Sequence, residues 1–550
     1  MSRRFDTREA VDFVIIGSGS AGGILAKELS TAGHSVVVLE QGPYRKAGDF
    51  SHDALEVELY GELTGDAADQ TFRHTEQEVA TRAPRERPPA WYARGVGGSS
   101  VHFTANFWRM RPVDFKERSL LGPISGTTFA DWPISYEELE PYYTRVDWEI
   151  GVSGAPGPND PPRSKPFPVP PMPVKSSGVL LEKGAEKLGL TAQPEPLAIL
   201  SQPHNNRPGC ISCGFCMGFG CEVGAKSSTL AAMIPLAEAS GNCEIRPLST
   251  VIRIDTDEKG RASQVVYVDG KGRQQAQKAR AVVLSANGAE TPRLLLMSAS
   301  ARHPDGLANS SGYVGKNLML NQHALAQATY EHPLNDYKGV QVTRMIHDFY
   351  DTDEARGCYG GGGIDARPLF AASPILYALL SIPPDMPTWG AGFKDYMAHN
   401  FTRSMALLAS TTSLAMERNN ITLDPNVTDK LGRPGLRMTY LDHDDDLENA
   451  RFFRQQLLNL GEASGATRVW ANEVEHGKGG PHLLGTCRMG DDKSTSVVDR
   501  DHRSHDVPNL FICDGSSMVT SGRGQPTHTI MALAFRAADK IKAAAAAGNL

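Results

Sequence analysis

Four cysteines fall within twelve residues, spaced Cys210-x2-Cys213-x2-Cys216-x4-Cys221, while Cys243, Cys358, Cys487 and Cys513 are scattered. Thiolates two residues apart can wrap one inorganic cluster, because successive turns of a loop bring their sulfurs together. Paired CxxC steps also suit tetrahedral zinc, and reduced structural thiols would leave the same pattern. In a chain without a separable secretion signal, so tight a group favours metal over disulfides. A second stretch is built for phosphate: Val14-Ile15-Ile16-Gly17-Ser18-Gly19-Ser20-Ala21-Gly22. Gly17 permits a tight turn, Gly19 lets backbone approach a pyrophosphate, and Gly22 lets the helix pack closely on its strand, with Ser20 among the cofactor-binding candidates of the turn. The helix N-terminus presents free N–H groups and partial positive charge to the phosphates. Glu40, closing a second apolar strand (Val36 to Leu39), can accept from a ribose hydroxyl. Strand, glycine turn, helix and acidic residue agree on a dinucleotide site. The loop alone does not choose between FAD and NAD.

Three further runs carry candidate chemistry. Arg94-Gly95-Val96-Gly97-Gly98-Ser99-Ser100-Val101-His102-Phe103-Thr104 has paired glycines and small hydroxyls that suit backbone approach to a flat or anionic ligand. His102 lies where a nitrogen can meet a cofactor ring, though spacing alone favours a packed, hydrogen-bonded histidine. Leu510-Phe511-Ile512-Cys513-Asp514-Gly515 reads as a strand ending in Asp-Gly, placed to reach a phosphate or ribityl chain. Gly480-Pro481-His482-Leu483-Leu484-Gly485-Thr486 returns to the same glycine-rich style late in the chain.

The elements that must position these groups read as an α/β fold. Ile24, Leu25 and Leu29 share one helix face that fits packing on a sheet. Residues 43 to 90 are polar and irregular, like excursion loops. Ser135 followed by Glu138 predicts an N-cap with a capping box. Nine prolines between 154 and 174 predict an extended linker over a surface. Short strands at Val251 to Ile254, Val265 to Val268 and Ala281 to Ser285 suggest a meander, and Pro292 fits the first turn of a helix through Leu294 to Leu296. Residues 320 to 470 carry no nucleotide signature and read as a substrate domain; Thr529 begins a closing helix. At 550 residues two linked domains are expected. A net charge of −7 with pI near 6.2 argues against a nucleic-acid binder, and no stretch reaches the ~18 apolar residues of a membrane span. Met1-Ser2-Arg3-Arg4-Phe5 has a twin arginine but no separate apolar region behind it. The expectation is a cytoplasmic chain, or a periplasmic one if exported with a signal-bearing partner.

Taken in order, the N-terminal fingerprint, Gly97-Gly98-Ser99-Ser100, Thr291-Pro292, His482-Leu483-Leu484-Gly485-Thr486 and Asp514-Gly515 resemble the glucose-methanol-choline (GMC) oxidoreductase family. Asp131-Trp132-Pro133-Ile134, Leu139-Glu140-Pro141-Tyr142-Tyr143, Ala286-Asn287-Gly288-Ala289-Glu290-Thr291-Pro292 and Asn309-Ser310-Ser311 are similar to large subunits of bacterial FAD-dependent glucose and gluconate dehydrogenases and to glucoside 3-dehydrogenases. The resemblance implies FAD and a Rossmann-like FAD-binding domain at 8–48, 90–115, 205–320 and 472–545. It implies an interleaved part at 49–89, 116–204 and 321–471, holding excursion loops, the proline-rich linker and a substrate domain on an antiparallel sheet. Gly17, Gly19, Ser20, Gly22 and Glu40 would then hold the ADP half; Gly97, Gly98, Ser99, Asp514, Gly515, Pro526 and Thr527 the rest.

The same resemblance implies that His482 faces flavin N5 and accepts the proton of an alcohol as hydride leaves its carbon. Relatives place a second His or Asn where this chain has Gln525, and His528 competes for that role. His102 aligns with a position joined covalently to FAD in some relatives and unbonded in others, with Thr104 near the flavin. Leu320-Asn321-Gln322-His323 departs from the Asp-His-Pro common there. A flavin context tips the cysteines at 210, 213, 216 and 221 towards [4Fe–4S] or [3Fe–4S]. The implied reaction is oxidation of a sugar or glycoside hydroxyl, with electrons leaving through an iron–sulfur relay to a non-oxygen acceptor, a small subunit or an acceptor protein. The rivals are a peroxide-forming pyranose- or C-glycoside-type oxidase, a lyase keeping FAD as scaffold, and a non-catalytic electron-transfer subunit.

Overall fold

A computed structural model describes residues 4–59, 61, 68–82, 88–368 and 374–550. The parts of segments 49–89 and 321–471 at 60, 62–67, 83–87 and 369–373 lie outside the described residues. Strand β1 (Val11–Ile16) is apolar and enters the glycine turn; helix α1 (Gly22–Thr31) leaves it, and β2 (Val36–Leu39) returns parallel to β1, with Phe13 opposite Val36. These two strands sit near the centre of a seven-stranded sheet. Cys243–Arg246 flanks β2, and Gln274–Leu284 flanks β1, both in parallel. The sequence predicts three short strands after residue 244. The structure instead makes the last of them eleven residues long. Its first half closes an antiparallel meander with Thr250–Thr256 and Ala262–Val268, and its second half crosses into the nucleotide sheet beside β1. Leu510–Ile512 then pairs in parallel with Val282 to Leu284 and brings Asp514 to the same sheet end as Gly17.

A second sheet has six antiparallel strands: β3 (Ala192–Pro194), β4 (His323–Thr329), β5 (Arg344–Ile346), β6 (Gly362–Arg367), β7 (Ser404–Thr411) and β8 (Arg468–Ala471), in the order β8-β4-β7-β6-β5-β3. Alternation separates its faces. Ala324, Ala326, Ile364, Ala366, Leu407 and Ala409 pack against α2 (Ser176–Leu188) and α3 (Asp444–Ala463). Their in-register neighbours His323, Ser410, Asp365 and Arg367 point the other way. A third, four-stranded sheet pairs Pro434–Thr439 with Asn420–Thr428 and, in parallel, with Gln70–Arg73. The polar stretch expected to be irregular thus contributes a strand there, because Gln70 and Thr71 are buried and hydrogen-bonded. Among the described residues no helix is long and apolar enough to cross a membrane.

Two local expectations are corrected. Ser135 caps its helix through Glu138 N–H at 3.2 Å, but the Glu138 carboxylate does not close the box and instead accepts from Arg536 Nε at 2.9 Å. Pro292 is not in a first turn; it lies inside the helix Asn287–Met297. A proline there leaves the carbonyl four residues back without its helical donor. That carbonyl, Gly288 O, accepts from Thr486 Oγ1 at 2.7 Å. Thr486 is fully buried, so Thr486→Val should strand an acceptor and cost about 1–3 kcal/mol, read as a lowered denaturation midpoint with unchanged slope.

Candidate active site

The phosphate turn is fixed by sterics. Gly17 has φ +90°, and a Cβ there would lie 2.4 Å from Ser285 O; at Gly22 it would lie 2.1 Å from Gly17 O. Gly98, at φ +54°, approaches the Gly19 backbone so closely that a Cβ would be 2.7 Å from Gly19 Cα. The two glycine segments are tied by Gly97 N–H donating to Ser18 Oγ, at 3.1 Å. Ser18 in turn donates to Glu40 Oε2 at 2.7 Å, and Gly42 N–H donates to Oε1 at 2.9 Å. Burial pushes the Glu40 carboxyl up, and these donors pull it back. At the sheet end Asp514 accepts from Asn287 N–H at 3.0 Å, Thr291 Oγ1 at 2.6 Å and Ser516 N–H at 2.8 Å.

Between these walls runs a half-open cavity, with about 1210 Å³ of atom-free space when the solvent at its mouth is included. It starts at Gly17, Gly19, Ser20 and Glu40, passes Gly98, Ser99, Asp514 and Gly515, and reaches His482, Pro526 and Thr527 at the far end. Gly22 stands behind the turn, and Gly97 behind Gly98; His102 and Thr104 are outside the lining. His102 is buried, with Nε2 lacking a hydrogen-bond partner among the described residues and its ring edge-on to Trp91, centroids 5.9 Å apart. Burial, aided by the Lys226 ammonium, pushes it down to about 3.

His482 occupies the cavity end. Its Nδ1 lies 3.2 Å from Asn321 Oδ1, and Asn321 Nδ2 donates to Thr411 O at 2.8 Å. A carbonyl can only accept, so the Asn321 amide nitrogen must face Thr411 and its oxygen must face His482. The proton therefore sits on Nδ1, and Nε2 keeps its lone pair. Burial and the neighbouring His323, 5.6 Å away between ring centroids, hold His482 at about 3; His323 itself is pushed down to about 4. Asn321 and His323 carry no motif of their own. The departure at Leu320-Asn321-Gln322-His323 was the one sequence signal pointing to them. Asn321→Asp should replace the neutral acceptor by an anion and raise the His482 pKa. The acid limb of the pH–rate profile should then move upward by about a unit or more, while Asn321→Leu should lower kcat without moving it.

The two candidates near the last helix separate. Gln525 is partly buried and donates through Nε2 to Ser410 Oγ at 3.2 Å, beside His323 in the sheet register. His528, inside α4 (Thr527–Ala546), is fully buried and faces away from the cavity. Its Nδ1 meets Phe107 O at 3.1 Å, its Nε2 meets Asp147 Oδ1 at 3.2 Å, and its ring stacks on Phe107 with centroids 4.6 Å apart. Helical register turns it into the core.

The four cysteines share one loop and are free thiols. Ser212, Gly214 and Gly218 take positive φ, and Cys216 is buried while the other three are partly exposed. Burial and the adjacent sulfurs push the Cys216 thiol up to about 12, against the pull of Lys226. Among the described residues no three His, Cys, Asp or Glu side chains converge to hold a metal ion. The loop backs directly on the His102 segment. Gly218 N–H donates to His102 O at 2.9 Å, and Lys226 Nζ donates to Phe103 O, Cys216 O and Phe219 O at 3.0, 2.6 and 2.7 Å.

GMC oxidoreductase sequence profiles match residues 11–323 and 415–534. The 2-methyl-1,2-propanediol dehydrogenase of Mycolicibacterium austroafricanum is 35% identical, over 97% of this chain and 95% of its own length. The fructose dehydrogenase large subunit of Gluconobacter japonicus is 31% identical, over 97% of this chain and 98% of its own. Pyridoxine 4-oxidase from Mesorbium loti shares the fold at a TM-score of 0.66 and 19% identity, over 97% of this chain and 99% of that one. The chain belongs to the GMC oxidoreductases, a family of FAD enzymes.

Proposed function

We propose that this enzyme is a dehydrogenase that oxidises a sugar or glycoside hydroxyl, with His482 as general base. The observation that carries the reading is the His482–Asn321–Thr411 chain. It leaves an unprotonated Nε2 at the end of a cavity that begins at the Gly17–Gly22 turn and Glu40. The residues present suit FAD: two glycine segments that a Cβ would block, a buried Glu40 at one end and Pro526 and Thr527 at the other. When bound, FAD supplies the two-electron acceptor. Gly17, Gly19, Ser20, Gly22 and Glu40 would hold its ADP half, and Gly97, Gly98, Ser99, Asp514, Gly515, Pro526 and Thr527 the remainder, with His102 and Thr104 backing that wall. His482 Nε2 takes the hydroxyl proton. Asn321 fixes its tautomer, Gln525 offers an amide donor to the substrate oxygen, and His528 holds the base of α4.

Names among the relatives support the substrate class, since they act on a diol and on a sugar. The large-subunit relative supports a partner subunit. For Cys210, Cys213, Cys216 and Cys221 we propose an iron–sulfur cluster rather than a lone ion. Four free thiols share one loop bonded to the His102 segment, and Cys210, Cys213 and Cys221 each push the Cys216 thiol up. The test is anaerobic flavin bleaching by a sugar and glycoside panel, with iron and acid-labile sulfide assayed on the same sample. Bleaching by a hydroxyl substrate with slow reoxidation in air supports a dehydrogenase. Fast reoxidation with peroxide release and no iron makes the protein an oxidase. No bleaching by any alcohol sinks both.

A further inference from the structure

We propose that Arg523 is the positioning residue for the turn 524–527 at the reaction end of the cavity, and that the charge of buried Asp114 sets how firmly Arg523 holds that turn. The inference rests on the reading of this end as the reaction site and adds the device that keeps it in shape. The turn is demanding backbone. Gly524 has φ +127°, and a Cβ there would lie 2.4 Å from Ser410 Cβ, so the chain is pressed directly on β7. Gln525 bonds to Ser410, and Pro526 and Thr527 line the cavity. On another side the packing is incomplete. Trp108, Tyr350, Met518, Arg523, Gln525 and Pro526 border a half-open void with about 240 Å³ of atom-free space, its mouth included. Close packing does not hold the turn on that side, so bonds must.

Arg523 supplies them, two residues before Gln525. Its side chain is 1% exposed and every nitrogen is used. Nε donates to Tyr350 O at 2.9 Å, and Nη1 donates to Glu117 Oε2 and to Tyr359 Oη, both at 3.2 Å. Nη2 donates to Glu117 Oε1 and, at 3.4 Å, to Thr352 Oγ1. Tyr350, Thr352 and Tyr359 belong to the loop that leads into β6. Gly361 O of that loop accepts from Thr412 N–H at 3.2 Å, next to Thr411, the acceptor of Asn321. One guanidinium thus anchors both Gln525 and the support of His482. The planar fork suits this task in a way a lysine cannot copy.

The anchor gathers more carboxyl than it can neutralise. Asp114 and Glu117 side chains are 1% and 2% exposed, and Arg523 is the one guanidinium between them. Asp114 Oδ2 accepts from Tyr350 Oη at 2.7 Å and from Arg111 N–H at 2.6 Å. Asp114 Oδ1 lies 3.8 Å from Arg523 Nε and has no hydrogen-bond partner among the described residues. Two carboxyls sharing one buried cation are not both ionised without cost, and the one with an oxygen left over is the one that takes the proton. Burial pushes Asp114 up, Arg523 pulls it back and Glu117 pushes it further, to about 6. The other groups around it do not change charge there. Burial pushes the phenols of Tyr143, Tyr350 and Tyr359 well above their ordinary value, and holds His347, 5.4 Å from Tyr350 between ring centroids, neutral at about 3. The Arg111 guanidinium lies over the Tyr350 ring at 4.0 Å and pairs with Asp351, and Arg356 of the same loop is repelled by Arg523. With Asp114 ionised, two carboxylates hold Arg523. With Asp114 protonated, Glu117 holds it alone and the turn slackens.

The test uses the FAD-loaded enzyme and anaerobic flavin reduction by D-fructose, D-glucose and 2-methyl-1,2-propanediol between pH 5 and pH 8, analysed with the fastest of the three donors. In wild type KM should be about tenfold higher at pH 5 than at pH 8, with a midpoint near 6 and the rate at saturating donor unchanged. Asp114→Asn should keep the high KM of acidic wild type at every pH. Arg523→Lys should raise KM by about tenfold at pH 8, and where it does not fold Asp114→Asn decides. The visible circular dichroism of bound oxidised FAD, recorded without donor, should titrate with the same midpoint in wild type and not in Asp114→Asn. A KM independent of pH in wild type overturns the proposal, and so does an Asp114→Asn protein whose KM or dichroism follows pH as wild type does. If no donor reduces the flavin, the dichroism alone decides. Failure of the underlying reading looks different: His482→Ala would then reduce its flavin at wild-type rates with saturating donor, whatever KM does.

Discussion

His482→Ala should lower the rate of flavin reduction by 10²–10⁴-fold, about 3–5 kcal/mol of transition-state stabilisation. Stopped-flow reduction at saturating substrate measures it, and the flavin absorbance per protein shows that the cofactor is still held. The size of the effect follows from how the imidazole is prepared. Asn321 spends the Nδ1 proton, so the ring presents only a lone pair at Nε2. Burial and His323 keep the ring neutral down to about pH 3. The sign is definite: a histidine whose pKa is depressed is already in its basic form across the neutral range. The wild-type rate should therefore show no acid limb near 6.5 from this group. A limb at 6.5 that disappears in His482→Ala would mean the ring is solvated during turnover and the preparation argued above is wrong. Asn321→Asp is the complementary experiment, because it moves the same limb upward without removing the base.

What could be read in the sequence was local. The turn from Gly17 to Gly22, with Glu40 after the next strand, sits within thirty residues, and the backbone geometry it needs is written in glycine positions. The same holds for Gly97-Gly98 and for Asp514 at the end of a short strand. What could not be read was pairing over distance. Thr486 compensates for Pro292 across 198 residues of sequence from Gly288. Asn321 reaches His482 across 161. Asn106 reaches Asp365 across 259. Only the second half of the eleven-residue strand Gln274–Leu284 was legible as a strand, because the strand serves two environments, solvent-edged in the meander and fully buried beside β1. The cysteines show the opposite limit. Their spacing was legible, but spacing does not say how the sulfurs face one another in a loop that turns at Ser212, Gly214 and Gly218.

The ambiguity between Gln525 and His528 is likewise a matter of register, and it yields the second large expected effect. His528 is one of three groups gathered on Asp147, which also accepts from Arg109 Nη2 at 2.5 Å and Arg163 Nη1 at 3.0 Å. Asp147 and Arg109 side chains are each 1% exposed. Removing the carboxylate takes from buried Arg109 the shorter of its two carboxylate partners, leaving Glu140 at 3.0 Å, and breaking a buried pair in this way costs up to about 3–5 kcal/mol. Asp147→Ala should therefore unfold at markedly lower denaturant, and Asp147→Asn, which keeps an acceptor, should lose less. The pH dependence separates this from a general weakening. The cationic neighbours hold the Asp147 carboxyl well below its ordinary value in spite of burial. A carboxylate depressed in the folded state contributes stability above its unfolded pKa of about 3.9 and loses it as pH falls further. Wild type should then lose stability on acidification below about pH 4, and Asp147→Ala should lose less over the same range. Chemistry should not follow: flavin reduction per bound FAD in Asp147→Asn should match wild type, unlike His482→Ala. A Brønsted role for His528 would instead make its partner's loss slow reduction in protein that is still folded, because an imidazole released from Asp147 titrates differently and sits differently. The stacking of His528 on Phe107, which leads directly into Trp108, shows why the core position matters all the same: it anchors the backbone that carries the indole bonded to buried Glu195.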